Sequence, residues 1–216
     1  MAGEPESLSS AEPLQAHLER HAYDRLLMLS DGVFAIATTL AAIEVKLPFG
    51  AASLGALLAD GGRQIIAYVI SFALSAAFWL QHRDLFARVR RVDQVLTMFT
   101  LALLCLIALI PAVVHIFYAP GGTRAPFQAY VLLMCGVGLL NWAMWSYAAF
   151  RPGIMRDDVD RRFRIRRVVA AASMPLILAP ATVIPIENVG PFILAVALPF
   201  VVFARVVLPR WLSRIG

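Results

Sequence analysis

Six apolar stretches, at about 26–47, 64–81, 94–115, 127–150, 168–186 and 189–208, take up most of this 216-residue chain. A helix needs about 20 consecutive apolar residues to cross a bilayer, and each stretch is near that length. Hydrophobic residues make up 60% of the sequence and charged residues 15%, whereas a soluble domain carries roughly 45–50% and 25%. That excludes a soluble globular fold, and disorder, coiled coil and collagen fall with it because each needs polar or strictly repeating sequence. The expectation is an all-α integral membrane protein with six transmembrane helices and no room for a second, soluble domain.

Helix-stopping residues punctuate the stretches: Pro48 and Gly50, Gly61 and Gly62, Pro120-Gly121-Gly122, Pro152-Gly153, and the segment from Pro185 to Pro191. Pro175, Pro180 and Pro199 lie inside apolar sequence, where proline kinks a membrane helix more often than it ends one. The N-terminal segment carries Glu4, Glu6, Glu12, Glu19 and Asp24 and lacks the basic and apolar regions of a signal peptide, so the first stretch reads as a retained span. The domains follow: 1–25 a cytoplasmic N-terminal tail, 26–210 the six-helix transmembrane unit, and 211–216 a cytoplasmic C-terminal end.

The net charge is +5, and 16 of the 19 basic residues lie in the N-terminal tail, the second and fourth loops and the C-terminal end. The opposite side receives only Lys46, Arg63 and Arg124. By the positive-inside rule both termini are cytoplasmic, which independently supports an even number of spans. The Arg-rich segment Arg151–Arg167, diluted by Asp157, Asp158 and Asp160, reads foremost as such a loop, with nucleic-acid or lipid-headgroup binding the weaker alternative. Cys105 and Cys135 lie inside apolar runs without further ligands at metal spacing, so neither a disulfide framework, a metal site nor a cofactor is expected. Dinucleotide, P-loop and nucleophile-elbow patterns are absent from the sequence.

The first span is rich in small residues: Gly32, Ala35, Ala37, Thr38, Thr39, Ala41 and Ala42. Small residues four apart let helix backbones approach closely in lipid, so this helix is expected inside a bundle, packed on several sides. Ile36, Leu40 and Ile43, at i, i+4 and i+7, form one bulky stripe with Thr39 beside it. Such spacing alone is commoner at a helix interface than in a pore; around an axis of several copies it would make apolar rings of the kind that narrow an ion path.

Asp31 is costly in or near hydrocarbon and needs a partner. Arg25 lies about 240° around the helix from it and cannot pair on one face. The second span ends Trp79-Leu80-Gln81-His82-Arg83, which puts Trp79 and His82 on one face at the depth of Asp31, within hydrogen-bond reach. In the alternative, Ser30 and Asp31 only cap a helix and His82 faces headgroups.

Arg25-x-x-x-Leu29-Ser30-Asp31-Gly32-Val33-Phe34-Ala35-Ile36 resembles the Arg-x-x-x-Phe-Ser-Asp signature of the transmembrane protein 175 family of potassium channels. The likeness continues through Phe78–Arg83, Arg91-Val92-Asp93 and Leu106–Pro111, an ordered set over about 90 residues; spans four to six match in hydropathy only. Leu29 departs from the family's usual Phe.

The resemblance implies a six-helix subunit, assembled as a homotetramer in bacterial single-repeat members, whose first helix lines the pore. It implies pore constrictions at Ile36, Leu40 and Ile43, a selectivity-related position at Thr39, and a motif network of Arg25, Ser30, Asp31, Trp79 and His82. Glu44 at the mouth would concentrate cations weakly, given screening and the adjacent Lys46.

The expected function is passive, potassium-permeable cation conduction, without enzymatic activity, in the inner membrane of a bacterium. K⁺ is the expected permeant ion, and the expected partners are further copies of the chain, as a homotetramer, and membrane lipids, not nucleic acid. A small secondary transporter of an ion or small solute is the alternative, with Asn141, His115, Thr97 and Thr100 as its few polar groups inside the spans. A membrane enzyme using Asp84, Asp93, His82 and the Asp157–Asp160 cluster has no recognised spacing.

Overall fold

The computed structural model describes residues 7–43, 45, 53–118 and 124–183. They form six helices: α1 (Ser7–Ile43), α2 (Leu54–Phe86), α3 (Gln94–Ala108), α4 (Ile110–Tyr118), α5 (Arg124–Phe150) and α6 (Arg161–Ala181). Among the described residues the only β-structure is one isolated bridge. Among the described residues, four segments are long and apolar enough to cross a membrane: Arg20–Ile43, Gln64–Phe86, Gln94–Tyr118 and Arg124–Phe150. These are the first four apolar stretches of the sequence. The fifth begins inside α6, whereas the sixth, with Pro199, the Pro185–Pro191 linker and the segment 211–216, lies outside the described residues.

Three boundaries differ from expectation for local reasons. No Gly or Pro interrupts residues 14–31, so α1 passes through residue 25 without a break and the described part of the tail is a helical extension of the first span. Gly61 and Gly62, expected to end a helix, lie inside α2. Glycine weakens a helix by about 1 kcal/mol but does not remove its hydrogen bonds. The third span, expected as one helix, is divided at Leu109, because Pro111 has no N–H and its ring crowds the carbonyl four residues back. There the Leu109 N–H turns to Leu106 O at 3.1 Å, and the ladder resumes with Val113 N–H on Leu109 O at 3.1 Å. By contrast, Pro175 and Pro180 are accommodated within α6, as the sequence suggests.

The broken third span is the centre of the bundle. It packs against α1, α2 and α5, with α6 lying along α5. Leu103, Ile107, Ile110 and Val114 are fully buried together with Met134, Val137 and Met144 of α5. Lipid tails are as apolar as these side chains, so close fit rather than water exclusion holds the helices. The α5–α6 contact shows that fit: a Cβ on Gly138 would stand 3.1 Å from Met174 Cγ and Pro175 Cδ.

One end of the bundle is closed by its Arg-rich loops. Residues 87–93 and 151–160 pair through Arg90 N–H on Ile154 O (2.7 Å) and Arg156 N–H on Arg88 O (3.0 Å), around the Val89–Met155 bridge. Pro152-Gly153 makes the turn that this needs, with Gly153 at φ 77°, a conformation favourable to glycine. The second and fourth loops therefore lie on one side of the bundle. Tyr23 joins α1 to the same end by donating its hydroxyl to Phe86 O at 2.8 Å.

Candidate pore helix and its anchoring network

The two sides of α1 are sorted by residue type. Leu26, Ser30, Phe34, Ala37 and Ala41 are buried against the rest of the chain, and spacings of three and four keep them on one face. Ala37 and Ala41 are 2% and 4% exposed; their missing bulk lets α1 approach its neighbours closely. Ile36, Leu40 and Ile43 point the other way, 57%, 45% and 72% exposed. Gly32, Ala35, Thr39 and Ala42 share the open side. Within a single chain α1 is thus packed on one side, not several, and its free side carries both the bulky stripe and the small residues.

Asp31 finds its partner on α2. Trp79 donates its indole N–H to Asp31 Oδ1 at 2.8 Å, and the Arg83 guanidinium lies 4.9 Å over the Trp79 ring. Of the two donors expected for Asp31, the structure uses Trp79. His82 is instead 3% exposed, stacked on Phe86 at 4.4 Å and tilted against Phe34 at 5.7 Å, with no hydrogen-bond partner for Nε2. It is a packing element under the buried face of α1.

Ser30 is fully buried and donates to Leu26 O of its own helix at 2.8 Å. Because α1 runs unbroken through this point, neither Ser30 nor Asp31 caps a helix end, which removes the capping alternative. Arg25 is exposed and makes no hydrogen bond or ion pair among the described residues. Of the five motif positions, the structure therefore joins Asp31 to Trp79 directly and packs Ser30 and His82 behind them. Glu44 lies outside the described residues.

Thr39 has a defined polarity. Its hydroxyl donates within α1, to Ala35 O at 3.0 Å and Ile36 O at 3.1 Å. The proton is committed to the backbone, so the oxygen faces outward with lone pairs only, an acceptor suited to a cation. Thr38 bonds similarly to Phe34 O (3.1 Å) and Ala35 O (2.8 Å) but is half-buried toward α2.

Further polar contacts hold the bundle behind this helix. Asn141, buried on α5, donates to Gln81 Oε1 of α2 at 3.1 Å. Asp93 caps α3 by accepting from Leu96 N–H at 2.9 Å and also accepts from the Tyr147 hydroxyl. Asp84 accepts from both Arg88 and Arg167, whose guanidiniums lie 4.6 and 5.4 Å from the Phe163 ring. Of the carboxylates considered for an enzyme, Asp84 and Asp93 are thus engaged in structural bonds. Asp93 before an apolar run and the Asp84/Arg88 spacing are visible in sequence; Tyr147, Arg167 and Gln81 have no local signal. Thr97 and Thr100 donate to carbonyls of their own helix, at 2.9 and 2.8 Å.

The profile of the family described as endosomal/lysosomal potassium channel TMEM175 matches residues 25–111. That interval contains every residue of the α1–α2 site and stops at the proline that divides the third span. The chain is 29% identical over 169 residues to a potassium channel of Streptomyces collinus, covering 74% of this chain and 82% of that protein. To a potassium channel of Chamaesiphon minutus it is 26% identical over 144 residues, 63% of this chain and 71% of the other. To the endosomal/lysosomal proton channel TMEM175 of Rattus norvegicus it is 31% identical over 180 residues, 74% of this chain but 36% of that longer protein.

Proposed function

This chain belongs to the transmembrane protein 175 family, and from that premise we propose that it is a potassium-permeable channel whose pore is lined by α1. It is an integral membrane protein with several membrane-length apolar helices. The finer reading is a six-span subunit of the bacterial inner membrane with both termini cytoplasmic, assembled as a homotetramer. In it, residues 1–25 and 211–216 are cytoplasmic and 26–210 form the channel unit.

One observation carries the pore reading: the stripe Ile36, Leu40 and Ile43 is open on the single chain while the opposite face of the same helix is buried. A helix meeting only lipid has no use for Gly32, Ala35, Thr39 and Ala42 on its free side. A helix meeting copies of itself does, because small residues permit close approach. Four such helices around an axis would turn the stripe toward the centre as stacked apolar rings. Permeation then requires partial dehydration, with the Thr39 oxygens as nearby acceptors. Glu44 at the mouth adds a weak attraction for cations.

The motif network positions rather than conducts. Trp79 holds Asp31, His82 and Ser30 fill the space behind it, and Arg25 shares the open side of α1, free to meet another subunit. No enzymatic role is assigned to these groups, no cofactor is invoked, and K⁺ is the proposed permeant ion.

Purified protein in a planar bilayer should carry K⁺ current, altered by Ile36→Asn and by Leu40→Ala, and native mass in mild detergent should give four subunits. Currents indifferent to both substitutions, or a monomer, would overturn the pore assignment.

A further inference from the structure

At the end closed by the paired loops, a cleft of about 760 Å³ opens between α1 and the two loops. Its walls carry Arg20, Tyr23 and Asp24 from α1, Arg90 and Arg91 from residues 87–93, and Arg156 from residues 151–160. Three separate segments thus bring four guanidiniums to one hollow, with Asp24 the single carboxylate among the described residues that line it. Topology alone requires only basic residues near the span ends, and Arg161, Arg162 and Arg166 already satisfy that without lining the cleft.

The cleft is built on a fixed frame. Backbone hydrogen bonds of 2.7 and 3.0 Å hold the two loops together beside Arg90, Arg91 and Arg156, and the Tyr23–Phe86 bond holds the α1 wall. Gly153 completes the frame: a Cβ there would lie 3.8 Å from the Arg91 guanidinium.

The positive charge is poorly compensated. Arg90 meets Asp157 at 3.4 Å and Arg156 meets Asp158 at 3.3 Å, but with side chains 57–91% exposed; such pairs contribute little and exchange easily with a stronger anion. Arg20 and Arg91 have no ion-pair partner among the described residues. Guanidiniums bind phosphate oxygens through paired N–H donors and remain charged at any physiological pH.

We propose that this cleft binds a polyvalent phosphate, bridging the extension of α1 to the two Arg-rich loops. The shared chemistry is a cluster of phosphate groups, supplied either by the headgroup of an anionic lipid or by a soluble polyphosphate. Because α1 is continuous from the cleft to Ile43, occupancy would fix the inclination of that helix. A change in conduction through that inclination rests on the channel reading, whereas binding does not.

The test is titration calorimetry on the full chain in mild detergent, with inorganic tripolyphosphate in one arm and short-chain phosphatidylinositol bisphosphate in the other. Saturable binding is expected, weakened about fivefold each by Arg20→Gln and Arg91→Gln and unchanged by Arg162→Gln, with thermal melting confirming that each variant is folded. Binding in both arms identifies a phosphate site open to soluble ligands, and binding of the lipid alone identifies a headgroup site; either supports the proposal. No saturable binding in either arm, or an equal loss with Arg162→Gln, would overturn it. Neither outcome depends on current, so a failed channel assay and a failed binding assay stay distinct.

Discussion

Trp79 reaches from α2 to Asp31 on α1 with a 2.8 Å hydrogen bond, and it does so with His82, one turn further along α2, packed beneath the same helix against Phe34. The bond fixes the rotation of α1, and with it which side of α1 faces away from the bundle. Trp79→Phe should leave the carboxylate without its donor, lower the thermal midpoint by an amount corresponding to about 1 kcal/mol, and reduce current. Asp31→Asn, which keeps the acceptor, should be the milder change. Melting of the two variants in detergent and bilayer recording would check the order.

Opposite sides of α1 should respond oppositely to bulk. Ala41→Leu forces extra carbon into a closely packed contact and should destabilise by about 1–3 kcal/mol. Ile43→Ala, on the open side, should change stability of the isolated subunit by less than about 0.5 kcal/mol while altering conduction. Melting curves paired with current measurements separate the two effects.

Thr39 and its neighbour Thr38 provide a matched pair. Thr39→Val deletes the outward-facing oxygen at nearly constant volume and should shift the reversal potential under K⁺/Na⁺ and K⁺/H⁺ gradients. Thr39→Ser should preserve it. Thr38→Val, turned toward α2, should leave the reversal potential near wild type; an equal shift at both positions would remove Thr39 from the ion path.

The α5–α6 contact predicts a graded response at Gly138. An added methyl meets Met174, which can move, and the Pro175 ring, which cannot. Gly138→Ala should cost less than Gly138→Val, the latter about 1–3 kcal/mol, with α6 the first segment to become accessible to protease.

Much of the architecture is legible because hydrophobic length is a local property. The first four apolar stretches correspond to the four membrane-length segments, and the loops grouped by charge lie at one end of the bundle. Local rules fail where they compete. Gly61-Gly62 has turn composition, yet it is flanked by good helix-forming sequence and stays helical. Pro111 acts two residues before itself, dividing a span that hydropathy reads as one. At the site, the Asp31–Trp79 pairing was foreseeable from matched depth on antiparallel helices. That His82 would pack and not bond was not, since both residues share a face and only the packing of His82 against Phe34 and Phe86 separates them.

The sequence by itself determined that this is a membrane protein, the positions of its first four spans, that its second and fourth loops share one side of the bundle, and the small-residue character of its first helix. Each follows from composition or periodicity within one segment. Only the tertiary structure decided which side of α1 is free, which donor meets Asp31, and that Arg20, Arg90, Arg91 and Arg156 surround one cleft. Those facts depend on the rotation and separation of helices distant in the chain, which are set by packing and hydrogen bonds that leave no local pattern.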